Sequence, residues 1–208
     1  MLSEPELPDG SESLPHRSGL SPDPRGSPVE DSQHRVGLPG FAFTILVALI
    51  GGLLGIIGAA IQEVRAGGFI LLPILGAPII EEGLKPVGVY LLKYRWPHLL
   101  LGRLHVALLA ALAGLTFGVI EALVYVYVYV DDPPNWFVTY RFTLPLALHT
   151  TGSFLVGLGI TGGLVAWAQG EGPLPKSSRN LYLAAVALHA VYNTVAIALS
   201  IAGVFDFD

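Results

Sequence analysis

Residues 76–86, GAPIIEEGLKP, place two adjacent carboxylates, Glu81 and Glu82, and one lysine, Lys85, inside an otherwise apolar run. An ionisable side chain at the centre of a membrane helix costs about 2.5–3.5 kcal/mol on insertion scales. The three side chains therefore need polar partners elsewhere in the chain. At 100° per residue, Lys85 reaches Glu81 at four residues and Glu82 at three, so one ammonium partly neutralises both carboxylates.

The rest of the chain has the composition of a membrane protein. Of its 208 residues, 52% are hydrophobic and 13% are charged, whereas about 25% of the residues of soluble domains are charged. The net charge of −5 shows no basic excess, so nothing indicates a nucleic-acid partner. Cysteine is absent, which excludes disulfides, thiolate metal ligands and a cysteine nucleophile.

The composition changes once along the chain. Residues 1–35 are rich in Pro, Ser, Gly and acidic residues, which predicts a disordered polar N-terminal tail. Residues 36–208 are predicted to form one transmembrane helical domain, because five apolar runs are each long enough to cross about 30 Å of hydrocarbon. The runs are residues 41–61, 69–92, 104–130, 138–167 and 181–204. The predicted fold class is all-α, a polytopic membrane helix bundle with about five transmembrane helices.

Three runs contain irregular features. The alternating YVYVYV of residues 125–130 is typical of a strand, but a lone strand cannot satisfy its backbone in lipid, so we interpret it as the aromatic end of the third helix. The fourth run is long, and we expect it to be tilted, kinked near Pro145 or broken around residues 157–163. Glycines at four positions of the first run predict a closely packed face. They are Gly51, Gly52, Gly55 and Gly58.

The basic residues predict the orientation of the bundle, because cytoplasmic loops carry an excess of Lys and Arg. Lys93, Arg95 and Arg103 lie between the second and third runs, and Lys176 and Arg179 lie between the fourth and fifth. These two loops should share the cytoplasmic side. With five spans, the N-terminus is then cytoplasmic and the C-terminus is outside.

Other polar residues lie inside the predicted spans: Glu121 on the third, His149 on the fourth, and His189 and Asn193 on the fifth. His189 and Asn193 are four residues apart and share a helix face. Helix rises place His149 and His189 near the depth of Glu82, with Glu121 a turn or two further outward. Two neutral imidazoles and a carboxylate from separate helices can form a three-ligand zinc site with an open position for water.

Each of these signals alone has an ordinary structural explanation. A single histidine on an apolar helix is more often a hydrogen-bonded packing residue than a metal ligand, and a Glu with Lys four residues on is usually a helix-stabilising pair. Their joint occurrence on four of the five runs favours a functional site. One lysine cannot fully serve two carboxylates, so one of them should bind a further cation or share a proton, as a general base requires.

These residues also carry a resemblance to a known family. EEGLK at residues 81–85 resembles the EExxK motif of the PrsW family of intramembrane proteases, and FGVIE at residues 117–121 resembles its FxxxE element. RFTLPLALHTTGS at residues 141–153 is similar to its histidine-bearing helix, and HAVYN at residues 189–193 is similar to its HxxxN element. The order and spacing match over residues 69–204. The related CAAX prenyl endopeptidases and CPBP proteins usually have EExxxR and FxxxH, so PrsW is the closer match.

The resemblance implies hydrolysis of a peptide bond in a membrane-anchored protein or peptide, within the lipid bilayer of a prokaryotic cell membrane. It implies Glu81 or Glu82 as the general base, with the other carboxylate and Lys85 tuning it. His149 and His189 would bind Zn²⁺ or, without metal, donate to the oxyanion. Members of the family often have more spans than five, so the chain is a minimal core or needs an oligomeric partner.

Two further residues have open roles under this resemblance. Asn193 would hold the substrate carbonyl oxygen or orient His189. Glu121 would be a third metal ligand, an orienting partner of a histidine, or a structural partner of Arg141.

Other functions are less well supported by the sequence. It contains no GxSG segment of the rhomboid type, no HExxH helix and no paired intramembrane aspartates. A proton- or cation-coupled transporter also needs carboxylates and histidines at mid-membrane, although five spans without an internal repeat argue mildly against one. A non-catalytic binding or immunity protein on the same scaffold is the other alternative.

Overall fold

The structure is a computed structural model and describes residues 36–66 and 72–204; the predicted tail, residues 1–35, lies outside the described residues. The all-α prediction is confirmed, since the described residues form helices and turns and contain no strand. Eight α-helices are described: α1 Leu38–Ala66, α2 Ala77–Leu84, α3 Val87–Arg95, α4 Arg103–Val124, α5 Asn135–Arg141, α6 Leu144–Gly159, α7 Gly162–Ala168 and α8 Lys176–Ile201.

Four segments of the described chain are long and apolar enough to cross a membrane: Leu38–Gly58, Arg103–Tyr129, Asn135–Gly159 and Lys176–Ile201. The remaining predicted span, residues 69–92, is a broken helix over the part that the structure describes, which begins at Leu72. Its described part consists of a π-helical turn, Leu72–Gly76, followed by α2 and then α3. The break falls at Lys85 and Pro86, because proline has no N–H to donate and its ring clashes with the carbonyl four residues earlier.

The other irregular features are also helical. Residues Tyr125–Tyr129 continue α4 as a π-helical turn, which confirms that YVYVYV ends a helix and is not a strand. The fourth predicted span is broken twice, at residues 142–143 ahead of Pro145 and at residues 160–161. It therefore comprises α5, α6 and α7. The first break separates Arg141 at the end of α5 from His149 on α6.

The bundle is built around the pair α4 and α6, with α1 packed on α4 and α8 packed on α6. The second span lies across α1 and α8, with α2 also contacting α6. An apolar core fills the space between α1, α3 and α4, together with the residue that follows α6. It consists of Ala48, Val89, Leu92, Val106, Leu109, Ala110 and Ile160. This packing directs one face of α2 toward α6 and α8.

One end of the bundle is fixed by side chains that bond to the last carbonyls of α6. Arg103 Nε donates to the carbonyl oxygen of Leu158 at 2.8 Å, and Ser178 Oγ donates to that of Gly159 at 2.6 Å. The first turns of α4 and α8 therefore meet at the same end. The two basic loops predicted to share one side precede these turns.

The close-packing prediction for α1 is confirmed at its glycines. A Cβ atom on Gly51 would fall 2.6 Å from the backbone nitrogen of Gly88 on α3, and one on Gly55 would fall 3.2 Å from Cα of Lys85. Backbone lies directly against backbone at these points, so α1 supports the break that carries Lys85.

We expect Gly88→Ala to lower the free energy of unfolding by about 1–3 kcal/mol, because its new Cβ would overlap the Val47 carbonyl oxygen of α1 and no side-chain rotation relieves this contact. Equilibrium unfolding in mixed micelles measures the loss. Gly162→Ala is the matched control, since a Cβ there meets nothing within 4 Å. Equal stabilities of the two variants would contradict the close approach of α1 and α3.

Candidate functional site

The two carboxylates of α2 point into the bundle and are buried. Glu82 is fully buried, and the side chain of Glu81 is 9% exposed. Pro78 stands in the first turn of α2 and Pro86 follows its last residues, so the helix is short and begins beside a π-helical turn. The helix is therefore interrupted on both sides of the carboxylates, although of the two only Glu81 retains any exposure.

Lys85 is fully buried and lies at the centre of the site. Its Nζ donates to Glu82 Oε1 at 2.7 Å and to His149 Nδ1 at 2.8 Å, and it lies 3.3 Å from Glu81 Oε2. It also lies 4.5 Å from the ring centroid of Phe117 on α4. A single ammonium therefore contacts both carboxylates, as the spacing predicts, together with an imidazole of another helix.

The contacts of His149 define its tautomer. An ammonium has donors only, so His149 Nδ1 accepts from Lys85 and the ring proton is on Nε2. That Nε2 donates to Glu121 Oε2 at 2.8 Å. The same oxygen lies 3.1 Å from Nη2 of Arg141. Glu121 thus contacts both a histidine and Arg141, two of the three roles considered for it.

His189 of α8 faces the same cluster. Its Nδ1 donates to Glu82 Oε1 at 2.8 Å, so Nε2 carries the free lone pair of the ring. This Nε2 lies 3.9 Å from Glu81 Oε2. The rings of His149 and His189 are edge to face with centroids 5.1 Å apart. A carboxylate bonded to the distal nitrogen of a histidine is the usual arrangement behind a metal ligand.

Three groups from three helices offer atoms within 4.8 Å of one another: Glu81, His149 and His189. Two imidazoles and one carboxylate are a donor set that zinc takes in catalytic sites, and Glu81 Oε2 is a buried oxygen without a hydrogen bond among the described residues. The donors therefore fit a metal ion. His149 uses both ring nitrogens, so ligation through it would replace its bond to Lys85 or its bond to Glu121.

The charges of the cluster are unbalanced. Among the side chains that the structure describes, three carboxylates, Glu81, Glu82 and Glu121, face two cations, Lys85 and Arg141. Buried charges are stable only when they are paired, so the cluster needs one further positive charge, from a proton or a bound cation. This is the same requirement that the spacing of residues 81–85 predicts.

Asn193 makes a different contact from those expected. Its Nδ2 donates to the carbonyl oxygen of Pro73 at 2.7 Å and so joins α8 to the π-helical turn before α2. In a π-helical turn the Pro73 carbonyl would accept from residue 78, but Pro78 has no N–H, and the amide of Asn193 takes its place. Tyr182, on the same helix, likewise donates to the carbonyl oxygen of Ile79 at 2.7 Å.

Two residues that line the cluster were not among the predicted site residues. Arg141, predicted only as a possible structural partner of Glu121, is 7% exposed and does contact Glu121. Gly152 lies one α6 turn beyond His149, and a Cβ there would fall 2.8 Å from Glu82 Oε2. That close approach has no signature in the sequence.

The fold and the site define a polytopic membrane protein with a buried cluster of carboxylates, imidazoles and one lysine. The model of the PrsW family intramembrane metalloproteases matches residues 35–207. The chain belongs to this family, and membership supports an intramembrane protease with a membrane-protein substrate in a lipid environment. No curated protein and no solved structure matches the chain.

Proposed function

We propose that the chain is an intramembrane endopeptidase that hydrolyses a peptide bond of a membrane-anchored protein with a water activated by Glu81. The observation that carries the proposal is the position of Glu81 Oε2. This oxygen makes no hydrogen bond among the described residues, yet it lies 3.3 Å from Lys85 Nζ and 3.9 Å from His189 Nε2. Glu82 Oε2 also lacks a hydrogen bond among the described residues, but it is packed against Gly152, so Glu81 Oε2 is the oxygen of the α2 pair better placed to receive a proton.

The proposed reaction follows from this position. Glu81 takes one proton from water as the water oxygen bonds to the peptide carbonyl carbon, and it returns the proton to the leaving amine as the C–N bond breaks. The products are a carboxylic acid and an amine. A base must be held next to the attacking water; the side chain of Glu81 is 9% exposed and that of Glu82 is not exposed, although Oε2 of each is buried.

Glu82 and Lys85 tune the base instead of replacing it. Glu82 Oε1 already accepts from Lys85 and from His189, and its other oxygen is packed against Gly152. The single ammonium of Lys85 contacts both Glu81 and Glu82. Both residues therefore fix the geometry around Glu81 Oε2.

Zn²⁺ is the metal that we propose for this site, with His149 and His189 as its ligands, so that Glu81 Oε2 remains the base that faces the water. When bound, the ion would supply a Lewis acid that polarises the peptide carbonyl and acidifies water. Glu82 orients His189 for this role through the 2.8 Å bond to Nδ1. Glu121 acts behind His149 in this proposal, since it contacts Nε2 of the ring.

Asn193 supplies the donor for the substrate carbonyl. One hydrogen of its amide bonds to Pro73, which places the side chain beside the opened start of α2. The second hydrogen of the same amide is the donor that we assign to the oxyanion.

The proposed location is a prokaryotic cell membrane with the N-terminus in the cytoplasm and the C-terminus outside. The loop charges support this orientation, because Arg103 and Ser178 bring the starts of α4 and α8 to one end of the bundle. Residues 36–208 form the protease domain, and residues 1–35 form a polar tail ahead of it.

The test is reconstitution of the full chain in liposomes with a library of single-span substrate proteins, with products identified by mass spectrometry. We expect cleavage by the wild-type protein and loss of cleavage in His149→Ala and His189→Ala. Absence of cleavage, or undiminished cleavage in both variants, would overturn the proposal. Ion flux without proteolysis would identify a transporter instead.

The metal is tested separately by metal analysis and a chelator. We expect about one zinc per chain, loss of activity on chelation and recovery on adding Zn²⁺. Activity that is insensitive to the chelator in protein without zinc would exclude the metal and leave hydrolysis by Glu81 alone.

A further inference from the structure

Arg141 is a buried cation at the edge of the site, outside the group that would hold metal or water. It ends α5, is 7% exposed, and its Nη2 lies 3.1 Å from Glu121 Oε2. Its guanidinium lies over the ring of Tyr125 at 3.7 Å from the centroid. An arginine stacked on an aromatic face and paired with a carboxylate is held in one orientation.

Arg141 contacts the same Glu121 oxygen that accepts the hydrogen bond from His149. Glu121 Oε2 accepts from His149 Nε2 at 2.8 Å, while the opposite ring nitrogen accepts from Lys85. Arg141 and His149 lie on either side of the break at residues 142–143. One carboxylate oxygen of α4 therefore joins α5 to α6 across that break.

Lys85 and Glu121 fix the tautomer of His149 together, because Nδ1 stays turned to the ammonium only while the carboxylate holds the ring at Nε2. Glu121 is 21% exposed and would rotate more freely without a partner that holds Oε2 in place. His149 would then lose its acceptor at Nε2. The ring could turn or change tautomer, and the contact between Nδ1 and Lys85 would weaken.

We propose that Arg141 is a positioning residue that acts through Glu121 to hold His149 as the Nε2–H tautomer, with Nδ1 turned to Lys85. Tyr125 supports it by stacking on the guanidinium. The proposal rests on the proposed function for its effect on cleavage, whereas the tautomer itself is a property of the folded protein whether or not it cleaves peptides.

The test uses the full chain labelled with ¹⁵N at histidine, in micelles and treated with a chelator. The ¹⁵N shifts of His149 are assigned by comparison with His149→Ala. We expect one Nε2–H tautomer in the wild type and a mixed or averaged signal in Arg141→Met. Arg141→Lys, which keeps a cation for Glu121, should restore the single tautomer. Arg179→Met, at an exposed position of α8, should leave the signal unchanged.

The matching cleavage assay is a double-mutant cycle. We expect Arg141→Met to lower the cleavage rate by about 10- to 100-fold, as partners of active-site histidines do. In the Glu121→Gln background, Arg141→Met should lower the cleavage rate less than about threefold, because the carboxylate through which Arg141 acts on His149 is already absent. Equal losses in both backgrounds would show a structural role only.

The outcomes separate the inference from the proposed function. An unchanged His149 tautomer in Arg141→Met overturns the inference, even if the protein cleaves its substrate. A changed tautomer in a protein that never cleaves supports the inference and overturns the proposed function. If Arg141→Met does not fold, Tyr125→Leu takes its place, and we expect a partial change of the same signal; no change there would equally overturn the inference.

Discussion

Glu81→Gln is expected to reduce the cleavage rate by about 10²- to 10⁴-fold while the protein stays folded, because the amide cannot take the proton of water. The substitution keeps the size of the side chain. It also removes one of the two carboxylates that share Lys85, and the 2.7 Å pair between Lys85 and Glu82 remains. Stability should therefore change by less than about 1 kcal/mol.

Initial rates in liposomes and equilibrium unfolding in micelles measure the two effects. Glu171→Gln is the matched control, since Glu171 is exposed in the loop before α8 and should keep the wild-type rate. A Glu81→Gln protein that cleaves at more than about a tenth of the wild-type rate would remove Glu81 from the role of base.

Lys85→Met is expected to lower the free energy of unfolding by about 3–5 kcal/mol, the cost of leaving one partner of a buried ion pair alone. Methionine preserves the length of the side chain but supplies no charge to Glu82 and no hydrogen to His149 Nδ1. Both of those groups are buried, so water cannot replace the lost ammonium.

Unfolding in mixed micelles with increasing denaturing detergent measures this loss. Lys176→Met changes an exposed lysine at the start of α8 and should cost no more than about 0.5 kcal/mol. The double variant Lys85→Met/Glu82→Gln should lose less than the sum of the single changes, because it removes the unpaired charge. A stability of Lys85→Met equal to that of Lys176→Met would contradict the central position of the ammonium.

The helical class and the members of the cluster were predictable from sequence for one physical reason. Lipid offers no partner to a charged group, so Glu81, Glu82 and Lys85 had to meet Glu121 or a histidine inside the bundle. The break in the second span also has a local cause, since Pro86 cannot continue α2.

The individual hydrogen bonds were not predictable. Counting residues fixes the depth of a side chain to about one turn, or about 5.4 Å, whereas a hydrogen bond is made or lost within about 0.5 Å. The choice of Pro73 as the partner of Asn193 depends on how α8 is rotated against the π-helical turn. The stacking of Arg141 on Tyr125 depends on the break after α5. Neither the rotation of α8 nor the direction of the chain after α5 is encoded in a local pattern.

The central claim is that groups on separate helices act as one hydrolytic site, and a double variant tests it most directly. The measurement is the cleavage rate of Glu81→Gln/His189→Ala, beside each single variant, at equal amounts of folded protein. Residues that act as a unit are not additive, so we predict that the double variant cleaves about as slowly as the slower single variant. Losses that multiply, or cleavage that persists in the double variant at the wild-type rate, would contradict the claim.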